Sequence, residues 1–413
     1  MARSPLLGDA SALLAAAAVT RAKLGDRRAC AELSLAALPA HWGFLVFAGV
    51  GPLVEVLERP WFSEADLAAV RDETHLGAEI ADGLRGMRCK LDLDAAPEGS
   101  MVFPGEPVVS VEGPLAQVLL VGALVEAAIG FATQVATRAA RLHVAADGDD
   151  VVEASLGGGD PTTRLAISRA AHLGGCAATT STIAAARLGI PLRAMTPDSV
   201  AKLCASQVEA PGRNATSMWG DSPADRWVDL SGDSMEIELV VRRSSGERAT
   251  WLARALDSHD VLPTRWDLVA LQEGRAWAPR LGADHDVSVL PGRKLVARYC
   301  DAVGRPVADV VQVSSERMAS ASRAVMIGPL GPTSPEPVRG ALTSGPLKAP
   351  QLRDGKRAGA AEPLSVLRQR ALDSMAKLAP SYRRLRSPEL FPLGISAGLY
   401  ELRAELFARG PKG

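Results

Sequence analysis

The sequence predicts an α/β protein, and three observations carry that prediction. From Val151 onward, short strand-like runs alternate with helix-like stretches, which is the pattern of βα units and closes either an open parallel sheet or a barrel. Residues 115–146 form a nearly unbroken Ala- and Leu-rich stretch, too long for a strand and apolar enough for a buried helix. Ahead of it, helical spacing dominates, followed by a half-exposed strand over Cys89–Ala95 and a small antiparallel β unit.

Taken in order, residues 63–84 open with a Ser cap and Asp66 three positions on, and carry Leu67, Val70, Leu76 and Ile80 at helical spacing, so one or two packed helices are expected. Between Cys89 and Ala95, Lys90, Asp92 and Asp94 alternate with Leu91, Leu93 and Ala95, the period of a half-exposed strand. Pro-Glu-Gly and Pro-Gly-Glu turns around Met101–Phe103 and Val108–Val111 predict a small antiparallel β unit. After the long helix come the strand VVEASL, a helix from Arg164 to Leu188, the strand GIPLRAM, and the later runs WDLVAL and KLVARYC. Residues 328–363 hold seven prolines and six glycines, too many breakers for regular structure, and read as a surface connection. Two helices close the chain, one with Leu364, Leu367, Ala371, Leu372, Met375 and Leu378 on a face, the other with Leu399, Leu402 and Leu406.

Composition narrows the function classes. Of 413 residues 47% are hydrophobic, enough for one large or two moderate cores. A net charge of -1 gives no bulk attraction for nucleic acid or anionic membrane. The apolar run Ser11–Val19 is short and lacks a basic leader, so it fits neither a secretory signal nor a membrane span, and no other stretch is expected to approach bilayer length. Cysteines 30, 89, 176, 204 and 300 form no pair motif and read as reduced packing residues, which places the chain in the cytoplasm. The six histidines show no metal-ligand spacing, so no metal site is expected.

Three ordered blocks, GFLVFAGVGPLVEVLE with PEGSMVFPGEPVVSVEGPLAQVLLVGALVEAAIGFATQVATRAAR, SRAAHLGGCAATTSTIAAARLGIPLRAM, and LRQRALDSMAKLAPSYRRLRSPELFPLGISAGLYELRAELF, together with the weaker GRKLVARYCDAVGRPVADVVQVS, resemble the nicotinate phosphoribosyltransferase family. The resemblance implies an N-terminal α+β domain (1–145), an irregular α/β barrel of the type II phosphoribosyltransferase kind (146–327), the Pro/Gly-rich connection (328–363) and C-terminal helices (364–413) packing back on the first domain. It also implies a homodimer, and the making of nicotinate mononucleotide from nicotinate and phosphoribosyl pyrophosphate, with Mg2+ and ATP as co-substrates and no tightly bound cofactor.

Such chemistry needs guanidinium forks or backbone N–H groups for phosphates and a clamp on the base carboxylate. Several family positions differ here. Gly157 and Gly158 stand where the family has adjacent arginines, and Pro197 where it has a phosphorylated histidine. Proline has no nucleophilic nitrogen, so phosphohistidine coupling cannot run at that position. The family's Thr-Asp-x-Tyr run appears as Gly8, Asp9, Ala10 and Ser11, and Ala36 or Ala37 replaces a further arginine. No catalytic residue is therefore assigned. The candidate substrate-binding residues are Arg138, Arg169, Thr179, Ser181, Ser199 and Asp233, the last in a Ser-Gly-Asp triplet similar to the family's ribose motif. Each has a bland counterpart: Thr or Ser after a glycine pair and Pro-Asp-Ser both cap helices, and arginines at helix ends are often surface partners. Two readings follow, a phosphoribosyltransferase with rebuilt binding residues, and a catalytically inactive family member acting in binding, regulation or as a scaffold.

Overall fold

The computed structural model describes residues 4–72, 77–155, 160–193, 227–230, 235–254, 256–257, 262–281, 289–328 and 334–409. In chain order come α1 (Ala10–Arg21), β1 (Arg28–Leu35), β2 (Leu45–Val46), α2 (Val50–Glu58), α3 (Glu64–Asp72), α4 (Ala78–Leu84), β3 (Asp92–Ala95), β4 (Met101–Val102), β5 (Pro107–Pro114) and α5 (Leu115–Ala146). Then follow β6 (Val151–Glu153), α6 (Pro161–Gly174), β7 (Ala178–Thr179), α7 (Thr182–Leu188), β8 (Trp227–Leu230), α8 (Met235–Ser244) and β9 (Thr250–Ala253). The remainder is β10 (Thr264–Glu273), β11 (Ala276–Pro279), β12 (Lys294–Cys300), β13 (Pro306–Val313), β14 (Val325–Met326), β15 (Glu336–Pro337), β16 (Thr343–Pro346), β17 (Ala349–Arg353), β18 (Lys356–Arg357), α9 (Leu364–Lys377), β19 (Leu393–Ile395) and α10 (Ala397–Arg409).

The protein is a mixed α/β fold built on two unlike sheets. A seven-stranded antiparallel sheet runs β11-β10-β1-β5-β3-β17-β18. A four-stranded parallel sheet runs β7-β6-β9-β8 and consists of two βαβ units, β6-α6-β7 and β8-α8-β9. A third sheet, β16-β12-β13-β19, ties the C-terminal segment to the hairpin β12-β13.

Helix α5 joins the two halves. Its first half puts Leu115, Val118, Leu120, Val121, Val125 and Ile129 into the core beneath the antiparallel sheet. Its second half puts Val135, Ala136, Ala139, Ala140 and Leu142 into the core shared with α6, α8 and the parallel sheet. Helix α5 is 32 residues long and holds an 18-residue window of mean hydropathy 2.0, so it is long and apolar enough to cross a membrane by length and composition, which corrects the expectation that no stretch approaches bilayer length. Packed on α1, α6, α8 and β1, it serves here as the core helix.

The small residues of its second half let α6 approach closely. A Cβ added at Gly174 would lie 2.1 Å from the Ala136 carbonyl oxygen, so only glycine fits there. Gly175, at φ +131°, then ends the helix. Arg368 of α9 caps that end by donating to the carbonyls of His172, Gly175 and Cys176 at 2.6, 3.0 and 2.8 Å. The glycine pair is thus a packing device, and it splits the single helix expected over 164–188 into α6 and α7.

Other expectations shift in kind. Ser63 and Asp66 form the expected reciprocal cap at the start of α3. Met101–Val102 pairs with β2 rather than with β5, so the turn-flanked β unit divides between two sheets. The run WDLVAL is a strand but pairs antiparallel with β1 in the large sheet, because Gly274 at φ +62° turns it into a two-residue hairpin rather than a crossover. KLVARYC is likewise one arm of an antiparallel hairpin. Of GIPLRAM, the described residues contribute an isolated bridge from Thr179 to Leu192.

The breaker-rich segment 328–363 is not structureless: β15 to β18 lie within it. Among its described prolines, Pro337 and Pro346 end β15 and β16 and Pro363 is the N-cap of α9, and Asp354-Gly355, at φ +48° and +71°, make the two-residue turn of the β17-β18 hairpin. Closure of the barrel implied by the resemblance falls on segments outside the described residues.

Candidate functional site

In open or closed parallel α/β units, ligands bind outside the carboxyl ends of the strands. Here β6 ends on Glu153, β7 on Thr179, β8 on Leu230 and β9 on Ala253.

Glu153 is fully buried, yet no cation pairs with it among the described residues. Three neutral donors hold its carboxylate instead: Ser155 N at 2.6 Å, Ser168 Oγ at 2.7 Å and Thr179 Oγ1 at 2.6 Å. Hydrogen bonds to the charged form offset much of the desolvation that an isolated carboxylate would suffer. The network fixes the carboxyl end of β6 against α6 and β7. Thr179 is therefore a buried member of this network, and Ser181, 5% exposed, caps α7 by accepting from Ala184 N at 3.3 Å. Its own N–H donates to Thr179 Oγ1 at 3.0 Å. These two candidates do converge at the strand edge, and both already hold backbone partners.

Helix α6 starts where β6 ends, and it starts earlier than expected. Asp160 accepts from Thr163 N at 2.7 Å as N-cap and Pro161 takes the first helical position, so Asp-Pro is a helix start rather than part of a flexible turn. That start places Arg164 in the second turn, where its Nη2 donates to Thr180 Oγ1 at 2.7 Å, just beyond β7. Thr180 N in turn donates to the Glu153 carbonyl at 2.9 Å. At the opposite edge, Arg254 beyond β9 closes an ion pair with Asp229 of β8 at 2.9 Å.

Arg169 faces elsewhere. Its guanidinium forks onto Glu98 at 2.8 and 2.9 Å, and the same carboxylate accepts from Gly49 N at 2.7 Å and Gly51 N at 3.1 Å at the start of α2. Burial pushes the Glu98 carboxyl upward, but Arg169 and the two amides outweigh it and hold it below its ordinary range. Arg169 lines a cavity of about 340 Å³ with Glu55, Arg357 and Glu362, so it does border a cleft, engaged as a clamp between α6 and Glu98, whose carboxylate sits at the start of α2.

Arg138 is buried on α5, one turn before Arg141, and is itself engaged. Arg141 ties three parts of the chain together: Glu236 of α8 at 2.9 Å, the His41 carbonyl at 2.8 Å and the Leu385 carbonyl at 3.3 Å, with Trp42 against its guanidinium. Of the N-terminal run, Asp9 caps α1 by accepting from Ser11 N. Two tryptophans serve in packing: Trp251 is fully buried with Nε1 on Asp149, and Trp266 fills the notch at Gly122. Ser199 and Asp233, with Gly157, Gly158 and Pro197, lie outside the described residues.

Sequence reasoning passed over Glu153, Glu98 and Arg164. The signal for Arg164 was present: once Asp160 and Pro161 are read as cap and first position, Arg164 and Ser168 fall four apart on the face toward the strand edge.

Residues 6–129 match the nicotinate phosphoribosyltransferase N-terminal domain, and residues 293–403 the C-terminal domain of the same family. A nicotinate phosphoribosyltransferase of Mycobacterium tuberculosis is 32% identical over 236 residues, 56% of this chain and 50% of that protein, so the aligned part spans half the relative's length. One of Bos taurus is 24% identical over 527 aligned positions, 99% of this chain and 98% of that one. The crystal structure of human nicotinic acid phosphoribosyltransferase superposes with a TM-score of 0.77 at 21% identity, over 97% of this chain and 99% of that one. A nicotinate-nucleotide pyrophosphorylase from Pyrococcus furiosus shares the fold at a TM-score of 0.64 and 17% identity, over 90% and 95%.

Proposed function

Because this chain belongs to the nicotinate phosphoribosyltransferase family, we propose that it transfers a phosphoribosyl group from phosphoribosyl pyrophosphate to nicotinate or a closely related pyridine carboxylate, a step of NAD biosynthesis or salvage. The bond from ribose C1 to the pyrophosphate oxygen breaks, the ring nitrogen bonds that carbon, and pyrophosphate leaves with its electron pair. The observation that carries this reading is that both family domains match and flank a parallel α/β unit.

The described residues support parts of that task. The Glu153 network fixes the strand edge on which substrate would lie, and Arg141 and Arg169 hold the N-terminal part against that unit, which keeps a cleft in register. Mg2+ would enter with the donor's phosphates. ATP coupling through a phosphohistidine is not part of the proposal, since position 197 is proline. A homodimer in the cytoplasm is the assembly and place that go with this reading.

The test is mononucleotide formation by the full chain from nicotinate, phosphoribosyl pyrophosphate and Mg2+, with and without ATP. Product at equal rates in both conditions is expected. Absence of product from folded protein would favour the second reading, a non-catalytic family member, for which Gly157, Gly158 and Pro197 speak.

A further inference from the structure

We propose that Arg164 is the cation with which this chain grips a phosphate group at the carboxyl edge of its parallel sheet, in place of the adjacent arginines whose positions Gly157 and Gly158 occupy. The inference rests on the phosphoribosyl-transfer reading and names a binding residue for it.

Arg164 differs from four arginines that stand around the two βαβ units. Arg141, Arg169, Arg193 and Arg254 each pair with a carboxylate, respectively Glu236, Glu98, Asp150 and Asp229. Arg164 pairs with none among the described residues: its one hydrogen bond is to the neutral hydroxyl of Thr180, and its Nε is buried with no partner. The two carboxylates closest to it in sequence are engaged elsewhere. Asp160 caps α6 through Thr163 N and Thr163 Oγ1, and Glu153 is saturated by Ser155, Ser168 and Thr179.

A half-buried guanidinium without a counter-ion loses hydration and here regains one neutral hydrogen bond, which leaves it unfavourable unless an anion joins it. Its unused donors form a fork suited to two phosphate oxygens. Thr180 orients that fork, and Thr180 is itself anchored to the last residue of β6 by its N–H on the Glu153 carbonyl. The cation therefore sits on two fixed elements, at the edge where phosphorylated ligands meet parallel sheets. Both phosphate ends of a phosphoribosyl donor share this chemistry.

Calorimetry of the full chain with inorganic pyrophosphate and, separately, ribose 5-phosphate, both in Mg2+ buffer, tests the inference and distinguishes those ends. Wild type should bind at least one probe. R164A should weaken that probe roughly 10- to 100-fold, the range expected for charge-assisted hydrogen bonds. R164K, which keeps the charge and loses the fork, should fall between, and the thermal midpoint of both variants should stay near wild type. Affinity for both probes within twofold of wild type in R164A overturns the inference, as does failure of wild type to bind either probe. Product formation with an unchanged KM for phosphoribosyl pyrophosphate in R164A overturns it while leaving the enzymatic reading intact. Arg164-dependent probe binding by a chain that forms no product sinks the enzymatic reading and leaves the site.

Discussion

Arg164 and Arg169 stand five residues apart on one helix and are used in opposite ways. Arg169 matches the family block and forks onto Glu98, whose carboxylate also takes two backbone amides at the start of α2. Arg164 lies outside the three family blocks, and among the described residues its guanidinium donates to one threonine hydroxyl and keeps a buried Nε without a hydrogen-bond partner. The difference teaches that a guanidinium at a motif position can be engaged by a carboxylate of the fold, while one that no motif marks is left without a counter-ion among the described residues. What separates them is helical phase: Arg164 and Ser168 face the strand edge, and Arg169 faces the N-terminal part of the chain.

That phase depends on how α6 is seated, and disturbing the seat should have the largest effect. Gly174→Ala drives a Cβ into the Ala136 carbonyl at 2.1 Å and should destabilise by more than about 3 kcal/mol or prevent soluble folding, read by denaturant unfolding.

Arg169→Ala comes next. It leaves the Glu98 carboxylate, itself 6% exposed, without its cation, at a cost of about 3 kcal/mol in chemical denaturation. Glu98 is depressed below its ordinary value of 4.5, so the clamp is fully present above that value and is lost as pH falls through the lower folded value. The gap between wild type and Arg169→Ala should hold at neutral pH and close only below pH 4.5.

A third prediction uses a carboxyl remote from α6 as a reference for a group of the opposite sign. Glu106 is fully buried beside Asp309 and Arg298. Burial first, then Asp309 by charge and hydrogen bonding, push it well above the ordinary range against the pull of Arg298, so it stays protonated. A raised carboxyl makes the fold lose stability as pH climbs from 4.5 toward the folded value. Glu106→Gln should remove that slope, and its melting temperature should gain on wild type as pH rises, by the equivalent of about 1 kcal/mol.

The smallest stability effect belongs to Arg164→Ala. With one hydrogen bond to a partly exposed hydroxyl, it should shift unfolding by about 0.5 kcal/mol or less, well short of Arg169→Ala.

Much of the framework was legible in the sequence because it rests on long periodic stretches. The bounds of α5 follow directly from its apolar run, and the cap at Ser63 from its spacing to Asp66. Strand partners were not legible: β10 and β17 join the N-terminal sheet from far along the chain, and periodicity carries no information about pairing. Their turns were marked, by Gly274 and by Asp354-Gly355, and reading those as hairpins would have placed both strands in antiparallel pairs. For the site, the family blocks pointed to Arg169 and Thr179, which proved to hold structural partners. Arg164 required reading Asp-Pro as a helix start, a matter of one turn of helix. A buried carboxylate such as Glu153, held by one backbone amide and by the hydroxyls of Ser168 and Thr179 from two other elements, leaves no local signature at all.

The division between the two arginines is tested most directly by pyrophosphate affinity in two full-length variants measured side by side, Arg164→Ala and the double variant E98Q/R169M, which removes both charges of the clamp together. The account predicts that the double variant binds within about threefold of wild type while Arg164→Ala loses roughly 10- to 100-fold. The reverse order, with affinity lost in E98Q/R169M and kept in Arg164→Ala, would contradict it.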